Sequence, residues 1–228
     1  MEIRIKKTVR AGNSSAVILP RAWLNQEVRI ELVEKTHEKI LSDVLKILGS
    51  HIEPREIVGI YLVGSYARNE EAEISDIDIL VITDSVDKNI EKGIYSITII
   101  STELLEQKLE KGILPVGQMI LEAKPLLNEL YLKSIDVKIT KKNIAPYIKS
   151  TKEKIVLIKK VLQKIGHSSP DVDDQVVYTL VLRIRTLGII ESLSKGKIYS
   201  KKDLLSDLAS AVGKNPNVEN VYGAYLAV

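Results

Sequence analysis

The sequence predicts an α/β (α+β) chain in three parts: a small β unit over residues 1–34, a sheet with flanking helices over 35–140, and a helical part over 141–228. Three observations predict it. Apolar residues alternate with polar ones near the start, as in half-buried strands. The runs Ile57 to Val63 and Ile79 to Ile82, and then Ile94 to Ser101, are rich enough in β-branched residues for buried strands. Beyond Lys141 the apolar residues recur at helical spacing among many lysines.

In the first part, Ile3 and Ile5 alternate with Arg4 and Lys6, and Ala11-Gly12-Asn13-Ser14 reads as a turn. Ala16 to Pro20 is expected to resume as a strand, and Val28 to Val33 alternates again. A unit this short cannot bury a core alone, so it should need a partner. From Lys35 to about Ser50, Ile40, Leu41, Val44, Leu45, Ile47 and Leu48 follow helical spacing, with Gly49 as the stop. His37 and His51, near its two ends, read as exposed residues rather than ligands. Thr83 to Asn89 is expected to turn, with Asp84 and Asp87 as turn residues, before the strand at Ile94 to Ser101. Helices and loops should fill Glu103 to Leu127, and Ser134 to Ile139 reads as a further strand. Three helices close the chain: Ile144 to Ile165, one opened by Pro170 and Asp171 that runs to Leu193, and Lys202 to Val212.

Composition bounds the function. The chain has 228 residues, 45% of them hydrophobic, which is enough for real cores. It has no cysteine, so disulfides and thiolate zinc sites are excluded. No apolar run approaches the roughly 18 residues of a membrane span, and the opening MEIRIKK has no apolar signal core, so a cytoplasmic protein without membrane partners is expected. A net charge of +3 is too mild to imply nucleic-acid binding by itself, so the placement of charge matters more than its total.

The stretch that carries chemistry is Gly64-Ser65, ten residues, then Asp76-Ile77-Asp78. Side chains at i and i+2 of a strand share a face, so Asp76 and Asp78 would set two carboxylates side by side, an arrangement that calls for a cation. Oxygen ligands suit Mg²⁺ or Mn²⁺. A strand that runs into Gly-Ser at a helix start makes a phosphate cradle, because Gly64 allows close backbone approach while Ser65 and the first amides can donate. These residues resemble the DNA polymerase β-like nucleotidyltransferase superfamily, whose signature is Gly-Ser, a spacer of this length, and Asp-x-Asp on the next strand. Ala67-Arg68 behind the Gly-Ser and Ser75 before the first aspartate extend the likeness, which covers about Ile57 to Leu127; Asn69 stands where the family commonly has glycine.

The resemblance implies a mixed sheet with flanking helices. It also implies catalytic and metal-holding roles for Asp76 and Asp78, and nucleotide contacts for Gly64, Ser65, Arg68 and Ser75. One element departs from the pattern. Active members usually carry a third carboxylate on the third strand, where this chain has Ser96 and Thr98, and neither is a carboxylate base. Asp136 is the fallback.

The first part resembles the AbrB/MazE-like swapped-hairpin family through Lys6, Lys7, Gly12-Asn13-Ser14-Ser15, Leu19-Pro20-Arg21, Trp23 and Leu24. That likeness implies a homodimeric barrel, often DNA-binding, and the cations Arg4, Lys6, Lys7, Arg10 and Arg21, with Asn13 at base edges, are the residues for it. Three functions stay open. The first is Mg²⁺-dependent transfer of an NMP group, AMP from ATP foremost, to a hydroxyl on a protein, RNA or small molecule. The second is a nucleotide-sensing DNA-binding regulator. The third is an antitoxin-like partner of a toxin, since both kinds of domain occur in toxin-antitoxin pairs.

Overall fold

A computed structural model describes residues 6, 8–30, 35–72, 75–165, 174–212, 221–223 and 225. The chain forms two compact units, Met1–Leu104 with Ala123–Ile135, and Leu105–Glu122 with Asp136–Val228. The described segments form a mixed α/β structure, as expected.

The first unit begins with a hairpin of β1 (Val9–Ala11) and β2 (Ser14–Ala16), turning at Gly12 and Asn13, the predicted turn. Gly12 has φ +61, a left-handed conformation that glycine adopts without Cβ strain. The second strand starts earlier than expected, and residues 17–20 belong to no ladder; a short 3₁₀ turn follows at Arg21–Trp23. Residues 28–30 form no strand, while Ile3, Arg4, Ile5, Lys7 and residues 31–34 lie outside the described residues.

Helix α1 (His37–Leu48) starts at Thr36, whose side chain accepts from the Lys39 amide, and ends at Gly49. It buries Ile40, Val44, Ile47 and Leu48, the stripe that its spacing predicts. His37 and His51 are both exposed, as expected. Strand β3 (Ile57–Val63) runs directly into the short helix α2 (Gly64–Arg68), and β4 (Ile77–Thr83) returns antiparallel to β3. A hairpin of β5 (Lys88–Lys92) and β6 (Tyr95–Ser101) then lays β6 parallel to β4. After α3 (Thr102–Lys111) and α4 (Val116–Glu122), β7 (Lys124–Leu127) pairs with β3, and α5 (Glu129–Ser134) follows. The sheet order is β5-β6-β4-β3-β7, mixed as the resemblance implies.

Two strands depart from expectation in the same direction. Of the five residues of β5 only Ile90 is buried, so the apolar signal of a strand is nearly absent. Strand β7 has four residues and contains Pro125, which an edge strand tolerates because it needs no outward donor. Parity divides the sheet. Ile60, Leu62, Ile77, Ile79, Val81, Tyr95, Ile97 and Ile99 form one core with α1. The alternate residues, among them Asp78, Ser96 and Thr98, lie on the opposite face.

In the second unit, α6 (Lys141–Ile165), α7 (Asp174–Ser194) and α8 (Lys201–Val212) give the expected helical part. Val181, Tyr199, Leu204 and Leu208 form a core there. Buried Asn143 donates to the Leu109 and Lys138 carbonyls at 2.7 and 2.8 Å, and so satisfies its amide. Residues 135–140 form no strand, which corrects the reading of Ser134 to Ile139. The alternation there is real, but no neighbouring strand meets it. Asp171 and Asp173 lie outside the described residues.

Burial also sets a pH limit. The Tyr61 hydroxyl donates to the Asn128 carbonyl at 3.1 Å, and burial, with Tyr131 adding to it, pushes its pKa up to about 12. Tyr95 donates to Asp43 at 3.2 Å, and burial followed by the Asp43 charge holds it well above the usual tyrosine range. A raised tyrosine stabilises the fold fully below its unfolded value of 10.0, and that stability is lost as pH rises toward about 12. Urea midpoints should therefore fall steadily above about pH 10, and Tyr61→Phe, which loses about 1 kcal/mol at neutral pH with its hydrogen bond, should flatten the decline.

Candidate functional site

The sheet brings the motif together at the end where β3 finishes and β4 begins. Val63 pairs with Asp78, so the residue after Val63 stands beside the Asp78 side chain. That residue is Gly64, at φ +71, and a Cβ built on it would lie 2.2 Å from Asp78 Oδ2. Glycine is therefore required twice, for its backbone conformation and for the space that the carboxylate occupies. The close approach places the Asp78 oxygens against the start of α2, where Ser65 is half-buried.

Asp76 is exposed and precedes β4 by one residue. The amide of Ile77 donates to the Ile94 carbonyl at 2.7 Å, which fixes the chain at the strand entrance. Asp76 and Asp78 thus flank a pinned residue that faces the α1 core, and strand parity puts Asp78 on the other face. Ser75 is half-buried, and its hydroxyl accepts from the Ala72 amide at 2.8 Å, closing the turn that delivers Asp76. Arg68 is committed locally: its Nε donates to Glu70 Oε2 at 2.8 Å in a partly buried pair. Asn69, the departure from the family's glycine, has φ 55 and caps α2 in the left-handed region that asparagine tolerates.

The third-strand position is located by register. Ser96 pairs with Asp78 in the parallel β4–β6 ladder, and Thr98 pairs with Leu80, so both lie on the Asp78 face. Ser96 is level with the aspartate, and Thr98 lies one side-chain row farther along the strand. Asp136 belongs to the other unit, sits outside any strand and is ion-paired with Lys138. The sequence reading missed Glu91. It faces Ser96 across the β5–β6 hairpin, and the Ser96 hydroxyl donates to Glu91 Oε1 at 2.9 Å. Lys88 to Lys92 holds a single apolar residue, Ile90, so no period in the sequence marked the strand that carries Glu91. Among the described residues, no group of three or more His, Cys, Asp or Glu is gathered to hold a metal ion.

The donor set fits a hard divalent cation that keeps several waters. Two carboxylates would supply oxygen ligands, and the missing Cβ of Gly64 lets the Asp78 carboxylate lie against the start of α2. A family model described as the nucleotidyltransferase domain matches residues 38–172, more than half of the chain, and the chain belongs to that family. The match spans the Gly64-Ser65 turn, both aspartates and the third-strand position, and it begins after the hairpin unit. General nucleotidyl transfer is the chemistry of this class. Among solved structures, a nucleotidyltransferase-like protein from Exiguobacterium sibiricum 255-15 is similar at 13% identity and a TM-score of 0.36, over 82% of this chain and 72% of that one. A comparison with curated proteins finds no match. Among the described residues, no helix is long and apolar enough to cross a membrane.

The Gly64–Asp78 contact is testable by itself. Gly64→Ala should cost about 1–3 kcal/mol in urea unfolding, from the strained φ and the clash together. Adding Asp78→Ala should recover the clash but not the backbone strain, giving a positive coupling in the double-mutant cycle. Additive losses would show that the contact carries no energy.

Proposed function

We propose that this chain is a Mg²⁺-dependent nucleotidyltransferase that moves an NMP group, AMP from ATP in the first instance, to a hydroxyl acceptor. The observation that supports it most is the Asp78 carboxylate set against Gly64, with Asp76 exposed two residues before it. Asp76 and Asp78 hold the cation. Gly64 and Ser65 offer backbone and hydroxyl donors to the phosphates, orienting the α-phosphorus for in-line attack. Ser75 contributes by fixing the turn before Asp76. Arg68 reaches phosphate only by exchanging its Glu70 partner, so it ranks behind the other contacts. A bound Mg²⁺ would neutralise charge on the triphosphate as it transfers. As the acceptor oxygen bonds to the α-phosphorus, the bond to the β-phosphate oxygen breaks, pyrophosphate leaves and the hydroxyl proton passes to solvent.

The double variant Asp76→Asn with Asp78→Asn should lose Mg²⁺-dependent ATP binding by calorimetry. Its melting temperature should not fall, because the substitution removes a like-charge pair. Unchanged affinity would refute the site.

A second reading concerns the N-terminal unit. Ile18, Leu24 and Ile30 are 66%, 70% and 65% exposed, an apolar set that a monomer would leave in water. We read this unit as a homodimerisation hairpin of the AbrB/MazE kind. Lys6, Arg10, Asn13 and Arg21 are exposed beside it, which suits contact with DNA phosphates. Light scattering at micromolar concentration should give a dimer mass. A monomer would contradict this reading and leave the transferase site untouched.

A further inference from the structure

Among the described residues three buried side-chain atoms lack a hydrogen-bond partner, and two of them, Arg183 Nε and Thr151 Oγ1, fall on the packed helices α7 and α6. They lie at one level. Arg183 Nη1 donates to Ser150 Oγ at 3.3 Å, so the arginine of α7 stands beside Ser150 and the next residue of α6, Thr151. Thr151 is 4% exposed, while Ser150 and Arg183 are half-buried. With Nη1 turned to Ser150, the guanidinium edge formed by Nε and Nη2 has no acceptor among the described residues. That edge is a fork suited to two oxygens of one anion.

Charge narrows what belongs there. Water can meet a buried N–H or hydroxyl, but a half-buried guanidinium also calls for a counter-charge, and among the described residues no carboxylate is ion-paired with Arg183. We propose that Arg183, Thr151 and Ser150 form an oxyanion site in the helical unit, and that its ligand is a phosphate group. A carboxylate would spend both oxygens on the fork. A phosphate keeps a third oxygen, off the guanidinium plane, for the Thr151 hydroxyl. Ser150 fixes the orientation of the fork by holding Nη1. Lys154, one turn beyond Ser150 and exposed, adds a second cation on that side of α6. The three residues lie within Asp136–Val228, so the site stands or falls independently of the reading of Asp76 and Asp78.

Inorganic phosphate titrated into the full-length protein at constant ionic strength, with the Arg183 Nε–H followed by NMR, tests the proposal. Its signal, identified by its loss in Arg183→Met, should shift saturably with phosphate and not with chloride. Thr151→Val should weaken that affinity by about tenfold, the effect of losing one hydrogen bond to a charged group. In phosphate-free buffer Arg183→Met should melt no lower than the native protein, because it keeps the apolar stem and removes a charge that has no counter-charge. A second titration with AMP separates the sources of the group. Tighter binding of AMP would name an esterified phosphate as the ligand, and tighter binding of phosphate the free ion. An Arg183 signal that neither probe moves would overturn the site, as would equal affinity in Thr151→Val. A clear fall in melting temperature for Arg183→Met in phosphate-free buffer would also overturn it, marking the arginine as a strut between helices.

Discussion

Much of the first unit turns on one close approach, the Asp78 carboxylate resting against Gly64. It demands that β3 end at Val63, the residue that pairs with Asp78, and that the next residue carry no side chain. It also demands a left-handed φ at the strand-to-helix corner, which turns α2 away from the sheet and leaves its first residues beside the carboxylate. A conventional residue at position 64 would fail on both counts. The same constraint explains why a strand, a Gly-Ser corner and an Asp-x-Asp pair belong together. They are one piece of geometry spread over fifteen residues.

What makes that geometry affordable is the opposite face. Ile77, Ile79 and Val81 of the central strand are shielded by α1, so the strand that carries the aspartates is anchored by burial on its other side. Asp43, buried on α1, is held by the Tyr95 hydroxyl and by Lys39 and Lys46 at 3.4 and 3.7 Å. Arg68 is likewise paired, with Glu70.

The fold was legible where burial writes a strong period. α1 could be read from its apolar stripe, β3 and β6 from β-branched runs, and α8 from the pattern beginning at Lys202. It was illegible where an element is held by backbone pairing alone. β5 shows one buried residue and β7 is four residues long with a proline, so neither carries a period. The converse error occurred at Ser134 to Ile139, where alternation exists without a strand to pair with. Of the candidate site, the Gly64–Asp78 approach could be anticipated because the strand, the Gly-Ser corner and the returning strand are close in sequence. Glu91 could not, because its relation to Ser96 exists only through the hairpin register.

The most direct test of the central claim is a crystal structure of the protein with Mg²⁺ and a non-hydrolysable ATP analogue. The account predicts a cation bonded to Asp76 and Asp78, with phosphate oxygens at the Gly64 and Ser65 amides and the α-phosphorus open on the side of Ser96. A nucleotide bound elsewhere, or phosphates at Gly64 with no cation on either aspartate, would contradict it.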